Sequence, residues 1–401
     1  MNTRTADARL TERFIAVQDW LIAHEGLWRP SPYRTDTLGW TERYPALASA
    51  LMALSDAEVD ALANDRDALI AWLATRESSI GGPTEHLRVP RSPTEPLAPE
   101  DPHRTRDIPG RKLDQIRAFL AAVGRPQRSV LDWCAGKGHL GRLVCLHHAV
   151  PVTSLEIDAR LCEAGADLAH RHRVPLHDFQ PADALSAAAR SRLAGRHTLA
   201  LHACGELHRV LVRGVIATEA PALDLAPCCY HRGATGDHTP LNPHATLRLR
   251  REDLRLAVSD TVTAASREVR QRRLTLAWRL AARRWSRSLG IEPETDALPR
   301  APDSGHPVTF TEYLQQLDLP VPPGQAGVAN LVELERTGWR LEAKLRRLAL
   351  PRLAFRRALE LWLVLDLALA LEQHGYAVTL GEWCERPLTP RNLLLSARRL
   401  T

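Results

Sequence analysis

At 401 residues the chain is too long for one ordinary hydrophobic core, which excludes a single small module and points to two or three domains or one domain with a large insertion. Its 44% hydrophobic and 25% charged residues sit at the globular average and exclude wholesale disorder. The net charge of +6 permits a nucleic-acid partner without requiring one, because only Lys112, Lys137 and Lys344 are lysines and so marked an arginine excess first reads as codon bias.

The first residues carry no apolar signal segment, and the longest apolar run, Leu361 to Leu371, contains Asp366. A bilayer span needs roughly 20 apolar residues, so no membrane association is expected and the cytoplasm is the default location. Seven cysteines with no C-x-x-C pair predict reduced thiols rather than a disulfide framework.

Residues 1–78 read as a helical N-terminal domain, with apolar residues at three- and four-residue spacing in Phe14, Val17, Trp20 and Leu21 and again in Leu62, Leu69, Trp72 and Leu73. Residues 79–110 read as a Pro-rich linker or wrapping loop, since seven prolines from Pro83 to Pro109 prevent a regular ladder or helix. An alternation then begins: helix Leu113 to Val123, strand Val130 to Trp133, helix from about Leu140, strand Val152 to Ile157, helix Ala159 to Arg171, and strand Val174 to His177. Further strands are predicted at Thr198 to His202 and Leu223 to Ala226. Short apolar strands between helix-length segments imply a doubly wound α/β domain with a largely parallel sheet.

Residues 236–350 interrupt this rhythm as a basic helical insertion. Ala245 to Gly290 holds 12 arginines against 4 acidic residues. Helical spacing places Leu274, Trp278, Ala281 and Trp285 on one face, with Arg272, Arg273, Arg279 and Arg283 largely on others. That face is either a solvated helix surface or a contact for RNA. Residues 351–401 resume the α/β pattern with a helix from Arg352 to His374, strand Tyr376 to Trp383, a Pro-bounded turn and strand Asn392 to Ala397. So short a turn joins antiparallel neighbours, so the sheet is expected to be mixed at one edge.

The chemistry concentrates at strand ends. Asp132-Trp-Cys-Ala-Gly-Lys-Gly-His-Leu140 runs from a strand-terminal acid through Cys134, Gly136, Lys137 and Gly138 into a helix, a turn that lets backbone approach a ligand closely. Gly136, Gly138 and Gly141 also satisfy G-x-G-x-x-G, which leaves an NAD-dependent enzyme open. Glu156 ends the second strand, 24 residues after Asp132, where a carboxylate can accept from both ribose hydroxyls of a nucleoside or simply cap the next helix. The later strand ends carry Leu201-His-Ala-Cys-Gly-Glu-Leu207 and Ala226-Pro-Cys-Cys-Tyr-His231. Ligands of open α/β sheets lie beyond such ends.

The D-W-C-A-G-K-G-H-L loop with S-L-E-I-D resembles the class I S-adenosylmethionine (SAM) dependent methyltransferases, and H-A-C-G-E-L with P-C-C-Y-H is similar to a branch of methyltransferase-like proteins. More distantly it is similar to tRNA 2′-O-methyltransferases, whose C-C-H-H has a histidine where Tyr230 stands here. The resemblance covers roughly Arg111 to His231 and Leu353 to Arg399. It implies a Rossmann-like sheet with an antiparallel last strand, split into 111–235 and 351–401. SAM is the implied cofactor, bound by Asp132, Cys134, Gly136, Lys137, Gly138, Glu156, Asp183 and His202. The implied reaction is methyl transfer, with His202, Glu206, Cys228, Cys229, Tyr230 and His231 as catalytic candidates.

RNA, tRNA or rRNA, is the expected acceptor through the arginine-rich insertion. A protein or small-molecule acceptor and a catalytically silent SAM-fold module binding RNA or a ribosome are the alternatives. Asp224-Leu-Ala-Pro-Cys228 is partly similar to a segment of RNA cytosine-5 methyltransferases. Cys204, Cys228, Cys229 and His231 have the chemistry of metal ligands but no recognised spacing, and no metal is expected.

Overall fold

Seven strands, β1 (Val130–Trp133), β2 (Val152–Glu156), β3 (His177–Pro181), β4 (His197–Cys204), β5 (Ala222–Cys228), β6 (Tyr376–Glu382) and β7 (Leu393–Arg399), carry the alternation read from the sequence. They belong to a computed structural model that describes residues 3–35, 37–259, 266–291, 309–321 and 324–400. The strands form one sheet in the order β3-β2-β1-β4-β5-β7-β6. β1 to β5 pair parallel, and β7 runs antiparallel to both β5 and β6. This is the Rossmann-like mixed sheet with an antiparallel final strand that the sequence predicts. β1 and β5 are buried at every position, as interior strands covered on both faces require.

The third strand differs from the reading of the sequence, which places it at Val174 to His177. Val174 is buried in the core, but it belongs to the turn after the helix Ala159–Arg171, and pairing with β2 begins only at His177. β3 lies at the sheet edge, where His-Asp-Phe-Gln-Pro can pair without an apolar run to announce it. The helix predicted at Arg352 to His374 is also divided, into Gly324–Ala354 with Pro351 inside it and Arg356–Glu372, broken at Phe355.

The chain packs as two units, one of Met1–Ile22, Pro83–Thr263 and Arg356–Thr401, the other of Ala23–Gly82 and Ala264–Phe355. In the first, Phe14 of the N-terminal helix stacks on Trp362 at 5.4 Å. Gln18 accepts from the Thr246 and Leu247 amides at 2.7 and 3.2 Å. The Pro-rich stretch runs along the outer strand β6: the Ser92 amide donates to the Glu382 carbonyl and the Glu382 amide to the Pro90 carbonyl. This isolated bridge occupies the outer edge of β6 at its last residue. Asp366, the acid inside the long apolar run, is fully buried and accepts the Leu241 and Asn242 amides at 2.8 Å. None of the described helices is long and apolar enough to cross a membrane.

In the second unit Trp278 and Ala281 are buried against Phe310, Tyr313 and Leu314, with Leu274 and Trp285 packed around them, as the helical spacing predicts. The arginines of that helix, Ser266–Ser288, divide. Arg273 is ion-paired with the fully buried Glu342 at 3.0 Å, and Arg283 is buried, whereas Arg267, Arg270, Arg272, Arg284 and Arg287 are exposed.

One interaction fastens the centre of the sheet. Asp224 of β5 is fully buried, 2.5 Å from His197 Nε2 of β4 and 2.8 Å from Arg398 of β7. Burial alone would raise its carboxyl, but the His197 bond and the Arg398 charge more than offset that and hold it below the usual range. Asp224→Ala strips the acceptor from a buried histidine and is expected to destabilise the fold by about 3 to 5 kcal/mol. A urea-unfolding midpoint equivalent to less than about 1 kcal/mol of loss, the scale of an exposed ion pair, would refute this role.

Candidate active site

The glycine loop follows from where β1 must stop. After Trp133 the chain turns through left-handed backbone at Cys134, Gly136 and Gly138, with φ of +59°, +59° and +64°, before the helix His139–His148 begins. For a cysteine that conformation costs about 1 to 2 kcal/mol, so it is held by its surroundings. The three glycines of the G-x-G-x-x-G pattern do different work. A Cβ on Gly138 would stand 2.5 Å from the Phe179 ring, and one on Gly141 would stand 2.6 Å from His177 Nε2, so these two are packing positions. Nothing lies within 4 Å of a Cβ on Gly136, which borders open space.

Two carboxylates brace the loop. Asp132 is buried, and its Oδ2 accepts from the Gly141 amide and from Ser154 Oγ, each at 3.1 Å. Burial pushes its carboxyl up to about 6. Glu156 Oε2 accepts from the Gly136 amide at 2.9 Å, while Oε1 accepts from the Ile157 and Asp158 amides at 2.9 and 3.2 Å. The capping role that Glu156 could have played is taken by Asp158, which bonds the Arg160 amide. Asp183 is brought beside Glu156, because the Ala182 amide donates to the Glu156 carbonyl. The exposed Asp183 carboxylate accepts from the Leu185 amide at 2.9 Å. Lys137 is exposed at the loop tip, and burial, followed by the Glu156 charge, pushes the Cys134 thiol up to about 12.

Two exposed apolar residues that the sequence does not single out as site candidates border this half. Ile157 and Leu185 stand 67% and 46% exposed just beyond the ends of β2 and β3. The signal for them was an apolar residue directly after each strand-end acid segment, in E-I-D and D-A-L.

The other half is built on a bulge. Pairing between β4 and β5 shifts between Leu201 and Ala203, and His202 is the inserted residue, at a left-handed φ of +65°. A bulge re-aims a side chain at the end of a strand. The His202 ring lies 3.4 Å from Gln115 Oε1 and edge-on to Trp383 at 6.2 Å. Burial, then the charge of Lys112, pushes it down to about 4, so the imidazole is neutral at physiological pH. Gln115, Trp383 and Lys112 come from segments whose sequence gave no hint of a site.

Beyond the bulge, Cys204 is the register partner of Cys228, with the sulfurs 3.5 Å apart. Cys229 follows at φ +46°. Bonds from Cys204 and Cys228 hold the Cys229 thiol well below its usual range, and Cys228 is raised in return. Gly205 fits tightly under the returning loop, its amide on the Cys228 carbonyl. His231 is half-buried, and burial pushes its ring down.

The structure does not gather two of the catalytic candidates into this cluster. The Glu206 carboxylate is ion-paired with Arg209 and Arg213 of its own helix at 3.2 and 3.1 Å. Tyr230 points into the core, edge-on to His208 at 5.5 Å, and burial raises its phenol well above the usual value.

Residues 111–235 match the family model described as a methyltransferase domain. None of the curated proteins matches the chain. Among solved structures the chain is similar to the 23S rRNA methyltransferase ErmE, at 21% identity over 28% of this chain and 45% of that one, with a TM-score of 0.24. It is also similar to coclaurine N-methyltransferase bound to N-methylheliamine and SAH, at 12% identity over 56% and 58% and a TM-score of 0.25. A third is human methyltransferase 10 domain containing protein, at 12% identity over 46% and 95% and a TM-score of 0.24. The chain spans about half the length of the first solved structures it matches. These structural likenesses say nothing about the substrate.

Because the Asp132 carboxyl is raised, the cost of ionising it in the fold accrues as pH rises from the usual 3.8 to about 6. In Asp132→Asn a single amide oxygen can still accept both bonds. Between pH 4 and pH 6 the variant is expected to gain about 2 kcal/mol relative to the native chain, read as the difference in urea midpoints. A pH-independent difference would place the carboxyl in a solvated setting.

Proposed function

We propose that the chain is a SAM-dependent methyltransferase that acts on RNA, tRNA or rRNA, by direct methyl transfer. The observation that carries the reading is the open space at Gly136, flanked by Glu156 and lying within the segment that matches the methyltransferase-domain model.

The residues present fit the cofactor. Gly136 leaves a cradle that any side chain would fill. Glu156 Oε2, which accepts only the Gly136 amide, keeps a lone-pair site for a ribose hydroxyl, whereas Oε1 already accepts two amides. Ile157 and Leu185 offer apolar flanks for a planar base, with the Asp183 carboxylate between them in sequence to accept from an exocyclic amine. Asp132 shapes the loop from beneath. SAM supplies a methyl group on a sulfonium, ready for in-line displacement. The chain's work is then to position the acceptor atom about 3 Å from that carbon and to exclude water.

His202 suits the acceptor side. Neutral and half-buried at the bulge, it accepts a hydrogen bond from the acceptor's O–H or N–H and orients its lone pair. With a ring held near 4 it is too weak a base to keep that proton, which passes to solvent. His231 is placed two residues beyond Cys229 for a similar contact. RNA is favoured as acceptor by the exposed arginines Arg267, Arg270, Arg272, Arg284 and Arg287 of the insertion, whose charge suits phosphates.

Incubating the purified chain with labelled SAM and total cellular RNA or protein should place label in RNA. Label in the protein fraction alone, or none despite SAH binding, would overturn the reading in favour of a protein methyltransferase or a silent module. Glu156→Ala is expected to weaken SAH binding by about 10- to 150-fold, the worth of a lost charged acceptor. His202→Ala should lower turnover by about 10- to 100-fold while SAH affinity holds, the signature of an acceptor-side contact.

Replacing the five exposed arginines by glutamine should weaken RNA binding and flatten its salt dependence, since each lost phosphate contact releases about one counterion fewer. Arg273 and Arg283 are left in place because the helical unit is built on them. Native protein with no salt-dependent RNA affinity would remove RNA as the substrate.

A further inference from the structure

Three thiols converge at the ends of β4 and β5. Cys204 and Cys228 face each other by strand register with sulfurs 3.5 Å apart, and Cys229 joins them so that all three sulfurs lie within 4.8 Å of one another. The convergence rests on two non-glycine residues in left-handed backbone, His202 at +65° and Cys229 at +46°. Such conformations cost about 1 to 3 kcal/mol each and persist where something else depends on them. Apolar packing of cysteines makes no such demand.

The dimensions fit a metal. A tetrahedral ion with bonds of about 2.3 Å to sulfur spaces its sulfurs about 3.8 Å apart, within the range seen here. His231, two residues after Cys229, carries a buried Nδ1 with no hydrogen-bond partner. Zinc-ligand spacings in sequence come mostly from small knuckles. Here 24 residues separate Cys204 from Cys228 because a whole helix and strand intervene, which is why the sequence shows no recognised pattern.

We propose that Cys204, Cys228 and Cys229 bind one soft divalent cation, Zn2+ in the cell, and that His231, which stands outside the 4.8 Å group of sulfurs, swings in as the fourth ligand. Each thiol still protonated gives its proton to solvent as its sulfur binds, and no oxidation state changes. Three thiolates, a neutral imidazole and Zn2+ leave a charge of −1, which Arg232 and Arg391, the cations acting on Cys229, offset. The ion would clamp two strand ends and hold the His202 bulge in place. The proposal stands apart from the methyl-transfer reading, since a metal can bind whether or not SAM does.

The test uses the full chain, purified under reducing conditions, stripped with a chelator and titrated with Co2+ and then Zn2+. One equivalent of Co2+ should bind with intense thiolate-to-cobalt charge-transfer absorption and the visible bands of a tetrahedral ion, and Zn2+ should displace it. Cys229→Ser and Cys228→Ser should each lower Zn2+ affinity at least about 100-fold, and His231→Ala about 10- to 100-fold with an altered cobalt spectrum. Cys162→Ser, outside the cluster, should change neither.

Absence of charge-transfer absorption would overturn the proposal. So would an unchanged spectrum in Cys229→Ser, or a Cys204–Cys228 disulfide as the state of freshly isolated protein. Cys229→Ser keeps the test open if the buried Cys228→Ser fails to fold. SAH binding to the stripped protein, measured in parallel, reports separately on the methyltransferase reading.

Discussion

The sheet depends on a charge buried in its middle. Asp224 reaches His197 on one side and Arg398 on the other, so three neighbouring strands share one ion-paired group. The chain leaves the sheet at Cys228 and returns only at Tyr376, and β7 must find β5 after that excursion. Without β7 the buried carboxylate keeps only His197 as a partner, so β5 is electrostatically incomplete until the C-terminal strand docks. The arginine, 44% exposed, gives less energy than the histidine but supplies the discrimination, since a one-residue slip of β7 would turn it to the other face. It also explains the partial likeness of Asp224-Leu-Ala-Pro-Cys228 to a catalytic segment: the acid is occupied structurally.

Much of this was legible because periodicity and turn chemistry are local. The β1 strand, its glycine loop, the helix Ala159–Arg171 and the antiparallel final pair follow from apolar spacing and from the shortness of one turn. β3 begins later than its apolar residues suggest, because an edge strand needs apolar residues on one face at most and Val174 sits in the turn before it. In the site, the Gly136 amide meets the Glu156 carboxylate, and Asp183 follows the residue whose amide bonds the Glu156 carbonyl. Glu206 and Tyr230 share those strand ends in sequence, yet one is captured by two arginines a helical turn or two away and the other turns inward onto His208. Side-chain direction after a strand end depends on φ at single residues, and neither the His202 bulge nor the left-handed Cys229 has a sequence signature. Gln115 and Trp383 were illegible for a different reason, since their role comes from chain segments far from the motifs.

Arginine content invited a reading as surface charge, and the structure divides it. Some guanidinium groups are mortar: Arg273 holds the buried Glu342, and Arg357 joins Glu360 to Glu382 beneath the outer strand. Others stand exposed on the same helix within a turn of the buried ones. Composition counts both alike, and only burial separates them, so a net charge of +6 says little about how much positive surface a partner meets.

Cys134, His202 and Cys229 hold left-handed backbone without being glycine, each at the C-terminal end of one of three parallel strands. Glycine would relieve each of them, by about 1 kcal/mol where the released strain exceeds the entropy it adds to the unfolded chain. Laboratory evolution for heat tolerance alone should therefore drift toward glycine at these three positions. Selection for activity should hold them against that drift. The two regimes would diverge at three codons, and the divergence would map the working surface of the molecule without knowledge of its substrate.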